Sequence, residues 1–168
     1  MANMNMVIHG MEGEIEIGDT MKNPKFKQGN KLKKFDLVMA NPMWNQDIFV
    51  FADYENDEFE RFGAGIPPED KADWGWVQHI FASLKETGKA AIVLDTGALS
   101  RGSGNTSNNK EKEIRKWFVD NDLIDGVLYL PENLFYNTNA PGVVLFVDKN
   151  KPAKKKDNII LINASLEF

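Results

Sequence analysis

One stretch limits the folds open to this chain: Phe35-Asp36-Leu37-Val38-Met39-Ala40-Asn41-Pro42-Met43-Trp44. Phe35 to Met39 is mostly apolar and predicts a buried strand. Proline has no N–H to donate and restricts the residue before it, so the chain must leave the sheet at Asn41-Pro42. A side-chain amide, a turn carbonyl and an indole therefore gather at the carboxyl end of a strand. In open α/β sheets that end is where ligands bind.

The remaining periodicities place this strand in a larger sheet. Val77, Ile80, Phe81 and Leu84 recur at helical spacing and predict an amphipathic helix closed by Gly88. Ala90 to Leu94 reads as a second buried strand ending at Asp95. Ile114, Trp117 and Phe118 mark another helix, on which Glu111 and Arg115 stand four apart on one face. Ile124 to Leu130, stopped by Pro131, Gly142 to Val147 and Ile159 to Ile162 read as three further strands. Strands alternating with helical patterns predict βα units and a mainly parallel sheet. Upstream, Ala2 to His9 reads as a short helix, and Ile15 and Ile17 flanking Glu16 as a short strand ending at Gly18-Asp19-Thr20. Asp19 there suits either a ligand amino group or the cap of a helix from Met21. Asp47 to Asp73 lacks periodicity and is punctuated by Gly63-Ala64-Gly65-Ile66-Pro67-Pro68, a loop long enough to serve as a lid. Ser100 to Asn109 is rich in Gly, Ser and Asn and predicts a flexible loop. The connection Asn133 to Thr138 is aromatic and amide-rich, and offers a second ring opposite Trp44.

Composition narrows the chemistry. At 168 residues, 42% hydrophobic and 27% charged, the chain suits one soluble globular domain with a sizeable core. It has no cysteine, which excludes disulfides, thiolate nucleophiles and cysteine-ligated zinc. His9 and His79 alone make a histidine metal site a poor fit, and His79 reads as a packing or surface residue. No apolar run is long enough to span a bilayer and no signal peptide opens the chain, so a cytoplasmic protein without a membrane partner is expected. The net charge of −5 argues against binding nucleic acid by overall charge. Lysines nevertheless crowd residues 22–34 and 149–156, either as solvated faces or as contacts to phosphate.

The cluster at the strand end suits methylation of an exocyclic amino group. Such a nitrogen is a poor nucleophile because its lone pair is delocalised into the ring. Two acceptors, the Asn41 side-chain oxygen and the Pro42 carbonyl, would each take one amino hydrogen and free the lone pair for attack on a sulfonium methyl. Trp44 would stack on the base, which must leave the duplex to be reached. The same four residues read equally as a strand-ending Asn-Pro turn with a packing tryptophan. A second motif, Gly102-Ser103-Gly104 after Asp95, could imitate the cofactor loop of a methyltransferase with permuted motif order. A cradle of that kind should follow its strand directly and open a helix, and here several residues intervene.

Several blocks together carry a family resemblance: Met4-Asn5-Met6-Val7-Ile8-His9-Gly10, Gly18-Asp19-Thr20, Phe35 to Pro42, and Gly65-Ile66-Pro67-Pro68. They are followed by Gln78-His79, Arg101-Gly102, Leu130-Pro131-Glu132-Asn133-Leu134-Phe135-Tyr136 and Asn163-Ala164-Ser165. In this order they resemble the catalytic domain of the modification subunit of type I restriction-modification systems, adenine-specific DNA methyltransferases that use S-adenosylmethionine. The resemblance extends over nearly the whole chain. It departs at Met43, where the family has proline, at Trp44, where phenylalanine or tyrosine is usual, and at Asp95, where proline is favoured.

The resemblance implies a Rossmann-like S-adenosylmethionine-dependent methyltransferase fold, present over residues 1–168 as its carboxyl-terminal, target-base half. The family's glycine-rich cofactor loop is expected upstream of the first block. Asn41 and Pro42 would hold the target amino group, Trp44 would stack on the extruded adenine, and Phe135, then Tyr136, would give a second stacking face. Asp19 would contact the adenine ring of the cofactor. Double-stranded DNA and the specificity and restriction subunits of a type I complex would be the partners. The intact protein would be the enzyme, with this portion alone inactive and binding S-adenosylmethionine weakly or not at all. The alternatives are methylation of an amino group on RNA or a protein glutamine, or a non-catalytic remnant that serves as a subunit-binding module.

Overall fold

The structure, a computed structural model, describes residues 2–47, 50–103, 109–136 and 138–167. The chain forms two compact units, Met1–Lys33 and Lys34–Phe168.

In the first unit, helix α1 (Ala2–Ile8) stands where its apolar spacing predicted it, with none of its residues buried. The strand expected at Ile15–Ile17 does not form, because an isolated two-period pattern needs a partner strand for its backbone N–H and C=O groups. No helix follows Asp19 either. Its Oδ1 accepts from the N–H groups of Met21 and Lys22, at 2.9 and 3.0 Å, and so caps a turn. Beyond it, β1 (Lys27–Gln28) and β2 (Lys31–Leu32) pair antiparallel around Gly29-Asn30. Gly29 is left-handed at φ 62°, as a tight hairpin turn requires.

The second unit is built on a five-stranded sheet ordered β3-β4-β6-β5-β7. The strands are β3 (Phe35–Ala40), β4 (Leu84–Asp95), β5 (Ile124–Tyr129), β6 (Gly142–Asp148) and β7 (Ile160–Asn163). β3 runs parallel to β4 and β5 parallel to β7, while β6 is antiparallel to both β4 and β5. Four strands thus share one direction and β6 alone opposes it. The cause lies between Leu130 and Pro141, where no helix forms among the described residues and Leu130 N–H bonds the Gly142 carbonyl at 3.0 Å. A parallel return would need a crossover, usually a helix, and this loop simply turns the chain back.

α3 (Asp73–Ala82) and α5 (Lys110–Asp120) supply the apolar cover of one face of the sheet. Trp74, Val77, Ile80, Ile114 and Phe118 pack there against Ala90, Ile92 and Leu94 of β4 and Val143, Leu145 and Val147 of β6. α2 (Phe51–Tyr54) and α4 (Gly97–Ser100) are single turns. Two sequence expectations need correction. The helix through Val77 ends at Ala82, not Gly88, and β4 begins at Leu84; between the register pairs Phe35–Leu84 and Leu37–Lys89 the β4 chain bulges. β3, expected as a buried strand, is an edge strand. Val38 and Ala40 pack on the core, but Leu37 and Met39 are 62% and 75% exposed, because among the described residues only one face of β3 is covered.

The segment between α2 and α3 is held by Arg61. Its guanidinium pairs with Asp57 at 2.6 Å and lies 3.3 Å from His79 Nδ1. Burial, with the Arg61 charge alongside, pushes the His79 imidazole down to about 4 from its ordinary 6.5. His79 is therefore a neutral packing residue at pH 7, as its position beside the apolar stripe suggested. Its folded-state affinity for protons is depressed, so its contribution to stability is complete above pH 6.5 and is lost as the pH falls toward 4. The loss amounts to about 3 kcal/mol at most. The urea midpoint of the wild-type chain should therefore fall more steeply between pH 6.5 and 4.5 than that of the His79→Gln variant. Parallel profiles would contradict this role.

Candidate active site

The end of β3 is where the sequence placed its chemistry. Asn41 follows the last strand residue and is exposed, and Pro42 is half-buried beside it. Trp44, also half-buried, donates its indole N–H to the Val93 carbonyl at 3.2 Å. Val93 lies one residue past the last β3 pairing, Ala40 with Ile92. The indole thus takes up a carbonyl of β4 just where β3 has left the sheet, and ties the loop down.

Phe135 reaches the same place from the connection between β5 and β6. Its ring meets Trp44 edge to face, with centroids 5.0 Å apart and planes at 82°. The two rings touch instead of facing one another across a gap. A base held between two parallel faces needs about 7 Å, so stacking here falls to an outer face of the pair. Gly142, the first residue of β6, makes the approach possible. A Cβ on it would lie 2.6 Å from Phe135 and 3.3 Å from Trp44. Tyr136 is 94% exposed and stands clear of the pair. Asn137, in the same connection, lies outside the described residues.

What the sequence did not reveal is the charged cluster behind this loop. Asn45 is left-handed at φ 52°. Its N–H bonds Asp73 at 3.1 Å, and its side chain donates to Asp95 at 3.0 Å and accepts from Arg101 at 3.1 Å. The Gln46 carbonyl accepts from Ala72 N–H at 3.0 Å. Arg101 also forks onto Glu111 at 2.7 and 2.8 Å, pairs with Asp95 at 3.0 Å and pairs with Asp73. Glu111 therefore meets Arg101, not the Arg115 partner its spacing suggested. Burial tends to raise the Asp95 carboxyl, but the bonds from Gly97 N–H, Asn45 and Arg101 outweigh it and hold it below the usual range. The Glu111 and Asp73 carboxylates outweigh burial in turn and keep Arg101 more firmly protonated than usual. Gly102 follows at φ 77°, where a Cβ would strike Asn109, the cap of α5, at 2.5 Å.

These contacts bear on the cofactor implied by the fold. Gly104, the second glycine of the Gly-x-Gly, lies outside the described residues. Asp95, the carboxylate a permuted loop would need, is already bonded to Arg101, Asn45 and the Gly97 N–H. That stretch does not fit S-adenosylmethionine. In the first unit, Asp19 is exposed and its Oδ1 is taken by the turn, which leaves Oδ2 as a single acceptor for a ligand amino group. Among the described residues no group of carboxylates and histidines is arranged to hold a metal ion, and no helix is long and apolar enough to cross a membrane.

A sheet whose middle strand in space runs antiparallel to the other four, with an Asn-Pro turn at the tip of a parallel strand, defines a Rossmann-like methyltransferase domain. The methyltransferase subunit of a type I restriction-modification system from Streptococcus thermophilus superposes with a TM-score of 0.82 at 33% identity, over 99% of this chain and 34% of its own. The EcoKI M protein shares the fold, with a TM-score of 0.69 at 24% identity over 96% of this chain and 32% of its own. The N-6 DNA methylase profile matches residues 1–168, and the chain belongs to that family. Relatives include the MjaVII methylase subunit of Methanocaldococcus jannaschii, 44% identical over 100% of this chain and 29% of its own length. The HindI methylase subunit of Haemophilus influenzae is 32% identical over 98% of this chain and 34% of its own. The chain therefore spans about a third of the length of the relatives it matches.

Proposed function

We propose that the chain is the target-amine part of an enzyme that, as a whole protein, methylates the exocyclic amino group of adenine in double-stranded DNA. The supporting observation is the tip of β3, where Asn41 is open to solvent and Pro42 adjoins an indole tethered to β4. In this reading the Asn41 oxygen and the Pro42 carbonyl each accept one hydrogen of the amino group and draw the nitrogen lone pair out of conjugation. S-adenosylmethionine, when bound, supplies the electrophilic methyl group. As the new N–C bond forms, the methyl C–S bond would break, its electron pair remaining on sulfur as a neutral thioether. The nitrogen becomes positive, the two oxygens stabilise that charge, and one amino proton is then released to solvent. Because strand and tether hold them in place beforehand, little reorganisation opposes the step. Trp44 receives the extruded base on its outer face. Asp19 contributes one hydrogen bond to the cofactor. Sequence choice belongs to a separate specificity subunit, and cleavage to a restriction subunit.

The test is transfer of a labelled methyl group by the full-length protein, offered duplex DNA, RNA and a glutamine-bearing protein. The expected product is N6-methyladenine in DNA. Transfer to RNA or glutamine alone would reassign the same amine site, and transfer to none of the three would leave a non-catalytic subunit-binding module.

A further inference from the structure

Every N–H of the Arg101 guanidinium has an acceptor. Nε and Nη2 reach Glu111, Nη2 also reaches Asp73, and Nη1 is divided between Asp95 and Asn45. Glu111 and Asp73 are buried at 2% and 0% exposure, so the cation is fixed by rigid partners on the first turns of α5 and α3. Of its acceptors only the Asn45 amide belongs to the loop that leaves β3. Asn45 is exposed and contributes nothing to the hydrophobic core. Its side chain nonetheless joins Arg101 to Asp95, and its N–H joins the loop to Asp73. Buried charge has thus been organised around a surface loop, immediately after Trp44 and four residues beyond Asn41.

We propose that Arg101 is a positioning residue for the amine site: through Asn45 it sets the path of the chain from Asn41 to Trp44, and so the aim of the two acceptors. This rests on the amine-methylation reading above. A guanidinium is suited to the task because its planar fork fixes direction as well as distance, which a lysine ammonium does not. Misplacement of a reacting group by about 1 Å can cost about 10²-fold in rate.

Arg101→Ala would strand buried carboxylates and risks unfolding, so two milder variants of the full-length enzyme carry the test. Asn45→Gly keeps the left-handed backbone, which glycine adopts without cost, and removes only the side-chain bonds. Arg101→Lys keeps the charge and loses the fork. Each should lower kcat about 10- to 100-fold while KM for DNA and for S-adenosylmethionine stays within about two-fold. The double variant should be no slower than the worse single one, since both break one clamp. Amide hydrogen exchange over residues 41–46 should quicken in each. Wild-type kcat in either variant, an additive loss, or a rise in KM alone would overturn the proposal. A wild-type enzyme that transfers no methyl group would defeat the amine reading instead. The exchange rates would then decide the clamp, unchanged exchange overturning it and faster exchange supporting it.

Discussion

Asn41→Ala in the intact enzyme is expected to lower the rate of methyl transfer about 10²–10³-fold and to leave affinity for S-adenosylmethionine within about two-fold. The size follows from what is removed. A preorganised dipole aimed at developing charge is worth that much when a single hydrogen-bonding group is deleted. Asn41 is exposed, and no part of the hydrophobic core rests on it. The substitution should therefore leave the fold intact, and the thermal midpoint should move by little. Most of the loss should fall on kcat, because the contact strengthens as the amino nitrogen becomes positive. Asn41→Asp, which retains an acceptor oxygen, should recover part of the rate. Single-turnover transfer to duplex DNA, with cofactor affinity measured by calorimetry, separates the outcomes. Equal losses of rate and of cofactor affinity would mean that Asn41 supports the cofactor, not the amine.

Trp44→Ala should weaken capture of the extruded base by about 5- to 150-fold, the range that corresponds to roughly 1–3 kcal/mol of base–aromatic stacking. Two structural consequences accompany the loss of the ring. The Val93 carbonyl loses its indole donor, and Phe135 loses its edge-to-face partner. Trp44→Phe keeps a stacking surface while losing the same indole donor, so comparison of the two substitutions isolates the ring face from the tether. A duplex carrying 2-aminopurine at the target position brightens when that base leaves the stack, and reports capture directly. If Trp44→Ala brightens the probe as well as wild type does, the indole serves the loop alone. If Trp44→Phe is as deficient as Trp44→Ala, the tether to Val93 outweighs stacking.

Much of the second unit was legible because its signals are local. The apolar run before Asn41-Pro42 gave β3 to within a residue, since a proline that cannot donate ends a strand wherever it falls. The helical spacing of Ile114, Trp117 and Phe118 located α5, and Pro131 closed β5. The blocks that carried the family resemblance are likewise strings of neighbours. What escaped were partnerships between distant residues. Ile15 and Ile17 alternate as a strand should, yet no strand forms there, because alternation says nothing about a partner. Glu111 has a basic residue four positions on, but a helix turn also faces the rest of the protein, and Arg101 offered a fork that Arg115 did not. The bulge before Lys89 arises where β4 must realign with β3, a demand invisible in either strand alone.

The candidate site divides in the same way. Sequence alone determined the face proposed to meet the amine: a strand that must stop, an amide and a turn carbonyl at its tip, and an indole two residues on, all within one short stretch where backbone chemistry leaves little choice. Tertiary structure decided everything that holds this face in place. It brought Phe135 edge-on to Trp44 over a glycine with no Cβ to obstruct it, reversed β6, and gathered Asp73 of α3, Asp95 of β4, Arg101 just past α4 and Glu111 of α5 behind Asn45. Local sequence constrains torsions and hydrogen-bonding capacity over a few residues, whereas buried charge pairs and ring contacts depend on which distant segments the packed core brings within a few ångströms of one another.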